Sequence, residues 1–499
     1  MKGIHRIGLL VLSIVLLCLG SPNRWIHWFP GALLGIAILF LVIWQMPFWA
    51  KVRYSFGVWF LFCLFLFLPD LTSVKVLGVR EIIGGILIAP VLPIFYLAAT
   101  VLSLEFTKKC PLGIRPLAMA TVWTALDGWL GLIWFPIPFH WGSLLYDWPL
   151  GIQIADLSGI WGVTFFAVLV NASLASLVVG FLQGLRGIRW VSGILISFTV
   201  AVVGYGSVQL WHYDRPSESL IQVGTVQPMA WFETEDRSWT YREQRYKDLL
   251  KLSQQGVAQG AELIIWPEGA LRAKLVNTPL EPYLLNQLKP ILSPSGSWIT
   301  GAAEPDPRYS QLSEPEQKLN NAALLYDATG QLQDRFGKQW LFPFFETQRY
   351  IPSVAGYQPM RGSAAWGVMI CLESVLPSPS RQLVKNGAQV LIAISDDSWF
   401  GNSHWPKLHG ILSVFRAIEN RRSFIFVNNT GGNLIVDPSG RIQQQGEIFQ
   451  RDVVVGQVVA RDEITLFNQV GEGWILLALS SGLAWSWMQY GSLRRSHSG

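Results

Sequence analysis

Over the first 211 residues the chain is built from long apolar runs separated by short polar ones. Trp28–Trp49, Tyr54–Asp70, Ile83–Leu104, Arg115–Phe135, Gly159–Leu182 and Trp190–Trp211 each hold 17 to 24 residues, and Trp474–Gly491 adds another run near the end. A helix crossing a bilayer needs about 20 apolar residues, so each run predicts a span. Ile7–Leu19 is shorter. Its basic start (Lys2, Arg6) is like that of a signal peptide, but no small-x-small cleavage site follows. Counted as a short first span, it gives seven spans before the intervening block and one after.

From residue 212 to 473 the pattern changes to short β-forming runs alternating with amphipathic ones. Strands are expected at Leu220–Val226, Leu263–Trp266, Ser297–Ala302, Asn321–Asp327, Gly367–Cys371, Val390–Ser395, Phe424–Asn428, Leu434–Asp437 and Val453–Val459. Helices fit Tyr241–Gln259, Ser378–Asn386 and His404–Asn420. The alternation, closing in strand pairs such as the one hinged at Pro438-Ser439-Gly440, predicts a layered α/β sandwich. The expected organisation is therefore a multi-pass helical membrane bundle over 1–211, an α/β domain over 212–473, and a last span with a tail over 474–499.

Composition supports the division. Mean hydropathy is +0.33, and only 14% of residues are charged against about 25% in soluble domains. A wholly soluble, disordered or disulfide-rich secreted protein is excluded. The apolar segments (1–211 and 474–499) carry 14 Lys+Arg and 6 Asp+Glu, a net of +8, whereas 212–473 carries 24 and 27, a net of −3. With a cytoplasmic N-terminus, eleven basic residues fall inside (Lys2, Arg6, Lys51, Arg53, Lys108, Lys109, Arg115, Arg186, Arg189, Arg494, Arg495) and three outside (Arg24, Lys75, Arg80). The positive-inside rule then puts the α/β domain outside the cytoplasm and both termini within it. Trp25, Trp28, Trp44, Trp49, Trp141, Trp148, Trp474 and Trp485 lie near span ends, as interfacial anchors do. Asp70, Glu81, Asp127, Asp147 and Asp156 fall on the outer side and read as ordinary loop charge.

Four cysteines are present, and Cys371 alone lies in the α/β domain. It ends an apolar strand, where a nucleophile is exposed beside backbone N–H groups. By itself it reads more readily as a small buried hydrophobe. Glu268 likewise follows a strand, in Ile264-Ile265-Trp266-Pro267-Glu268-Gly269, and strand ends at one sheet edge converge. Lys338 follows a turn in Arg335–Trp340, just before an apolar stretch. The stretch Trp340–Phe345 (WLFPFF) reads either as core packing or as a loop touching the outer leaflet and admitting an acyl chain. No HExxH, GxSxG, P-loop or GxGxxG pattern occurs, and His404 and His409 lack partners at metal spacing. By elimination, an unaided Cys-Glu-Lys set leads.

Those three segments, in the order Glu, Lys, Cys, resemble the nitrilase (carbon–nitrogen hydrolase) superfamily. With seven spans before the domain and one after, the chain resembles the superfamily's integral-membrane lipoprotein N-acyltransferases. Trp123–Trp129, Ile133–Trp141 and Gly159–Phe166 (GIWGVTFF) are similar to that family's membrane part. In the domain the resemblance is carried by Val226-Gln227-Pro228 with Trp231, Gly337-Lys338 through Pro343 and Glu346, and Ser395–Gly401 (SDDSWFG). Arg416–Arg421 and Asn429-Thr430-Gly431 complete it. Three positions depart from the family pattern: Leu372 where a tyrosine is common, Phe345 where glycine is, and Asp396 where asparagine is.

The resemblance implies an α-β-β-α sandwich, a bacterial inner-membrane location with the domain on the periplasmic side, and an acyl transfer in two steps. Glu268 would be general base, Cys371 nucleophile and Lys338, with the backbone N–H after Cys371, the oxyanion stabiliser. Glu346 would support the lysine or position substrate. Trp231 and Glu373 would line the pocket, with Leu372 and Trp399 as further supporting residues. The donor would be a phospholipid and the acceptor the α-amine of a diacylglyceryl-cysteine on an apolipoprotein. No metal, cofactor or nucleic acid is implied, and a monomer is expected. Two other readings stand beside it: a membrane-anchored amide hydrolase of the same fold, and a transporter or non-catalytic scaffold, against which the scarcity of mid-span charge argues.

Overall fold

The structure, a computed structural model, describes residues 3–23, 25–67, 91–133, 140–213, 220–230 and 239–473 apart from 272, 310, 313–316, 343–345 and 402, together with a few between 477 and 484. They divide into two compact units, one of helices up to His212 with the residues from Gln469 on, the other Tyr213–Asn468.

The helical unit contains α1 (Gly3–Gly20), α2 (Pro30–Ile43), α3 (Phe48–Phe67), α4 (Val91–Phe106), α5 (Arg115–Ile133), α6 (Ala155–Gln183) and α7 (Ile188–Tyr213). Among the described residues α3, α6 and α7 are long and apolar enough to cross a membrane, while α1, α2 and α4 are shorter apolar helices. The expected span Trp28–Trp49 is too long. α2 has 14 residues, a rise of about 21 Å, because Pro30 opens it and a turn after Ile43 ends it. Residues 83–90 and most of the run from Trp474 lie outside the described residues. α6 bends at Gly159, whose φ of 62° and ψ of −170° suit only a residue without Cβ.

Polar groups staple this unit. Asn171 on α6 accepts from the Ala37 N–H (2.8 Å) and donates to the Ala32 carbonyl (2.9 Å), tying α6 to α2. Lys51 on α3 meets Glu105 on α4 at 2.6 Å. Of the carboxylates expected on the outer side, Asp127 and Asp156 are not loop charge, Asp147 lies in a turn, and Asp70 and Glu81 fall outside the described residues. Asp127 lies within α5, buried against His140 at 2.9 Å. Asp156 opens α6 and accepts from the Tyr205 hydroxyl, and Asp147 pairs with His27. Nor is Trp141 an interfacial anchor: it is buried among Trp59, Tyr96 and Trp123, with ring centroids 5.7 to 6.3 Å away.

The second unit is a sandwich of two six-stranded sheets. One sheet has the order β12-β1-β2-β3-β4-β5, from Leu220–Gln227 (β1), Leu263–Ile265 (β2), Ser297–Pro305 (β3), Leu319–Asp327 (β4), Leu332–Gly337 (β5) and Asp452–Val459 (β12). The other runs β11-β10-β9-β8-β7-β6, from Met360–Arg361 (β6), Ala365–Ile370 (β7), Val390–Ser395 (β8), Phe424–Asn428 (β9), Leu434–Val436 (β10) and Ile442–Gln445 (β11). β1-β2-β3 and β7-β8-β9 pair in parallel, so their carboxyl ends lie along one rim of each sheet. That rim carries the residues of interest. α8 (Trp239–Ala258) and α9 (Leu280–Leu288) pack on the first sheet, where Tyr246, Leu249, Trp266, Trp298 and Tyr326 share one core. α10 (Pro377–Lys385) covers β7 of the second.

The sequence reading missed β5, β6 and β11, and each is an edge strand. An edge need not be buried on both faces, and β5 (LQDRFG) and β11 (IQQQ) are largely polar. The expected helix His404–Asn420 is two, α11 (Trp405–Ser413) and α12 (Phe415–Asn420), broken at Val414.

Candidate active site

Three strand ends bring the predicted residues together. Glu268 follows β2, Lys338 follows β5 and Cys371 follows β7. Lys338 comes off an edge strand rather than a turn, with its N–H on the Asn321 carbonyl of β4 at 2.8 Å. Its side chain is fully buried, 2.8 Å from Glu346 and 3.4 Å from Glu268. Glu268 approaches because β3 has glycine at position 301. A Cβ there would stand 2.6 Å from the Pro267 carbonyl and 2.8 Å from the Glu268 Cα, closer than packed atoms allow.

Besides Lys338, two groups fix Glu268. Asn321 Nδ2 donates to its Oε1 at 2.5 Å and also to Glu346 at 3.0 Å. The Asp396 N–H, just past β8, donates to Oε2 at 3.0 Å. Asn321 escaped the sequence reading, because a polar residue inside the otherwise apolar β4 looks like noise until its neighbours are known. Glu346 accepts from the Phe342 N–H at 2.7 Å as well.

Burial drives the electrostatics. It pushes the Glu268 carboxyl up to about 7; Lys338 opposes this and Glu346 and Asp396 add to it. Burial alone would lower the Lys338 ammonium, yet Glu268, Cys371 and Glu346 outweigh it and hold the pKa well above the ordinary lysine value. The Cys371 thiol is raised by burial, with Lys338 pulling it back and Glu268, Asp397 and Glu346 pushing further. Burial thus favours the thiol form of Cys371, and Glu268 is near enough to act on it electrostatically.

Cys371 has a left-handed backbone, φ 54°, which costs a non-glycine residue about 1–3 kcal/mol. It opens the short 3-10 turn Cys371–Val375. Glu373, which the resemblance puts in the pocket lining, has its carboxylate taken up by protein donors. It is fully buried, accepting at Oε1 from the Gln339 and Trp340 N–H groups (2.9 and 3.0 Å) and the Tyr357 hydroxyl (3.1 Å), and at Oε2 from the Ile370 N–H (2.9 Å). It thereby locks the lysine segment to the cysteine turn. Leu372 is buried in that turn. Trp231 lies outside the described residues, and Trp399 falls in the turn Ser398–Phe400 with its side chain undescribed. Of the apolar loop after Lys338, Leu341 is buried and Phe342 half-buried, and 343–345 lie outside the described residues. No cluster of three or more His, Cys, Asp or Glu among the described residues could hold a metal ion.

Residues 222–464 match the carbon–nitrogen hydrolase family and residues 13–173 the apolipoprotein N-acyltransferase N-terminal domain. An apolipoprotein N-acyltransferase of Geobacter metallireducens is 28% identical over 378 residues, 70% of each chain. One from Pseudomonas paraeruginosa is 27% identical over 504 aligned positions, 93% of this chain and 92% of that one. Among solved structures, an amidase from Nesterenkonia sp. covers 52% of this chain and 96% of its own at 17% identity, with a TM-score of 0.38, too loose a superposition to carry chemistry across.

Proposed function

Because this chain belongs to the apolipoprotein N-acyltransferases, membrane enzymes of the carbon–nitrogen hydrolase superfamily, we propose that it acylates lipoproteins by a two-step transfer through Cys371. Glu268 takes the thiol proton, and the thiolate attacks the ester carbonyl of a phospholipid. The tetrahedral oxyanion is held by the Lys338 ammonium and the Leu372 N–H. Its collapse breaks the ester C–O bond, Glu268 returns the proton to the departing oxygen, and lysophospholipid leaves a thioester on Cys371. The α-amine of a diacylglyceryl-cysteine then attacks that thioester. Glu268 takes the amine proton, the C–S bond breaks, and an amide forms.

The observation carrying this reading is the buried grouping of Glu268, Lys338 and Glu346 beside Cys371. A carboxylate with a pKa near 7 suits a general base working at neutral pH. Glu346 and Asn321 hold Lys338 and Glu268 in register. The excess of basic residues in the inner loops of the helical unit supports a cytoplasmic N-terminus with the sandwich on the periplasmic side. Residues 1–211 serve as the membrane part, 212–473 as the catalytic part and 474–499 as a last anchor.

Intact-mass spectrometry of the purified full chain with phosphatidylethanolamine vesicles tests the proposal. An acyl adduct absent from Cys371→Ala, and discharged by a diacylglyceryl-cysteine peptide faster than by water, is expected. Discharge by water alone would make the protein a hydrolase, and no adduct would overturn the reading.

A further inference from the structure

Beneath the cysteine lies a second buried polar network that this mechanism does not use. His409, on α11, is 1% exposed. Its Nδ1 faces Asp397 at 3.0 Å, and its Nε2 lies 3.1 Å from Ser374 Oγ and 3.3 Å from the carbonyl oxygen of Cys371. Ser374 Oγ donates to that same carbonyl at 2.8 Å and is 2.9 Å from Ser413 Oγ. Asp397 is fully buried; it accepts from Asn428 Nδ2 (2.8 Å) and Ser395 Oγ (3.0 Å), while its own N–H donates to Asn428 Oδ1 (3.0 Å).

We infer that His409 is a positioning residue that aims the oxyanion-binding N–H by holding the carbonyl of Cys371. A peptide unit is planar and trans, so the C=O of Cys371 and the N–H of Leu372 point in opposite directions. Two donors fastened to the carbonyl on the α11 side therefore turn the N–H away from α11. The strained φ of Cys371 makes the fastening necessary, because an unheld left-handed peptide relaxes. Ser374 O–H and His409 Nε2–H are the two donors to that carbonyl, Ser413 O–H donates to the His409 backbone carbonyl at 2.9 Å, and Nδ1 lies against Asp397.

The inference rests on the acyl-transfer reading for its purpose, but its test does not need a lipid. Any acylation of Cys371 passes through a tetrahedral oxyanion, whereas alkylation does not. With p-nitrophenyl butyrate the thiolate forms a C–S bond, the ester C–O bond breaks and p-nitrophenolate leaves. In the full-length detergent-solubilised protein, His409→Leu should slow this acylation about 10- to 100-fold, a part of the 10²–10³ carried by an oxyanion donor. Half-saturating ester concentration and the rate of iodoacetamide alkylation should each stay within about threefold of wild type. His409→Gln, which keeps a donor toward the carbonyl, should recover most of the acylation rate. Ser374→Ala, a milder change, should slow acylation several-fold with alkylation again unchanged, and it decides the matter if His409→Leu does not fold. Equal loss of acylation and alkylation, wild-type acylation in Ser374→Ala and His409→Leu, or no recovery in His409→Gln would overturn the inference. Failure of the phospholipid adduct in the wild type would instead overturn the function proposed above and leave these ratios readable.

Discussion

The two units bury polar groups for different ends. In the helical unit two of them are matched to backbone or to a side chain: Asn171 bonds to the Ala32 carbonyl and the Ala37 N–H, and Asp127 meets His140. In the sandwich, two carboxylates crowd one ammonium beside a thiol, and the Glu268 carboxyl rises to about 7. A matched pair of this kind holds helices in place. A crowded set has a proton ready to move. Burial of charge by itself does not mark a site; imbalance within one buried cluster does.

The contrast can be broken at several points. The largest effect should come from Lys338→Met, which removes the ammonium proposed to hold the oxyanion at Cys371. Cys371 acylation should fall about 10³-fold, measured as the rate of thioester appearance by intact mass, and thermal unfolding should report whether the now unpaired carboxylates weaken the fold. Next is pH. The first step needs Glu268 ionised, so its rate should rise with pH and level off above about 7, falling about tenfold per unit below. Glu346→Gln removes one of the charges raising that carboxyl, so the midpoint should move down, read from the same single-turnover series. Smallest in chemical terms is Asn171→Ala. It should destabilise the protein by about 1–3 kcal/mol through the bonds left unmade, seen by thermal unfolding in detergent, with the acylation rate of the folded fraction within twofold of wild type.

Much of this was readable from the chain because it lies at the ends of apolar strands. Glu268 and Cys371 close Leu263–Ile265 and Ala365–Ile370, and such runs fix both a strand and the rim where it stops. Asn321 and His409 were not legible, since their partners are 53 and 38 residues away in sequence for Glu268 and Cys371 respectively. Nothing in local pattern announces a pairing over that distance. Edge strands were missed for a related reason: β5 and β11 keep little apolar surface to signal them. Glu373 was legible as important but not as what it is, because the sequence cannot distinguish a carboxylate facing substrate from one that binds four donors.

The central claim is that Cys371 carries an acyl chain to lipoproteins. It is tested most directly in a bacterium depleted of its own N-acyltransferase and supplied with this chain, with lipoprotein N-termini read by mass spectrometry. The account predicts triacylated N-termini with the wild type and only diacylated ones with Cys371→Ala expressed to the same level. Diacylated N-termini with both, or triacylated ones with both, would contradict it.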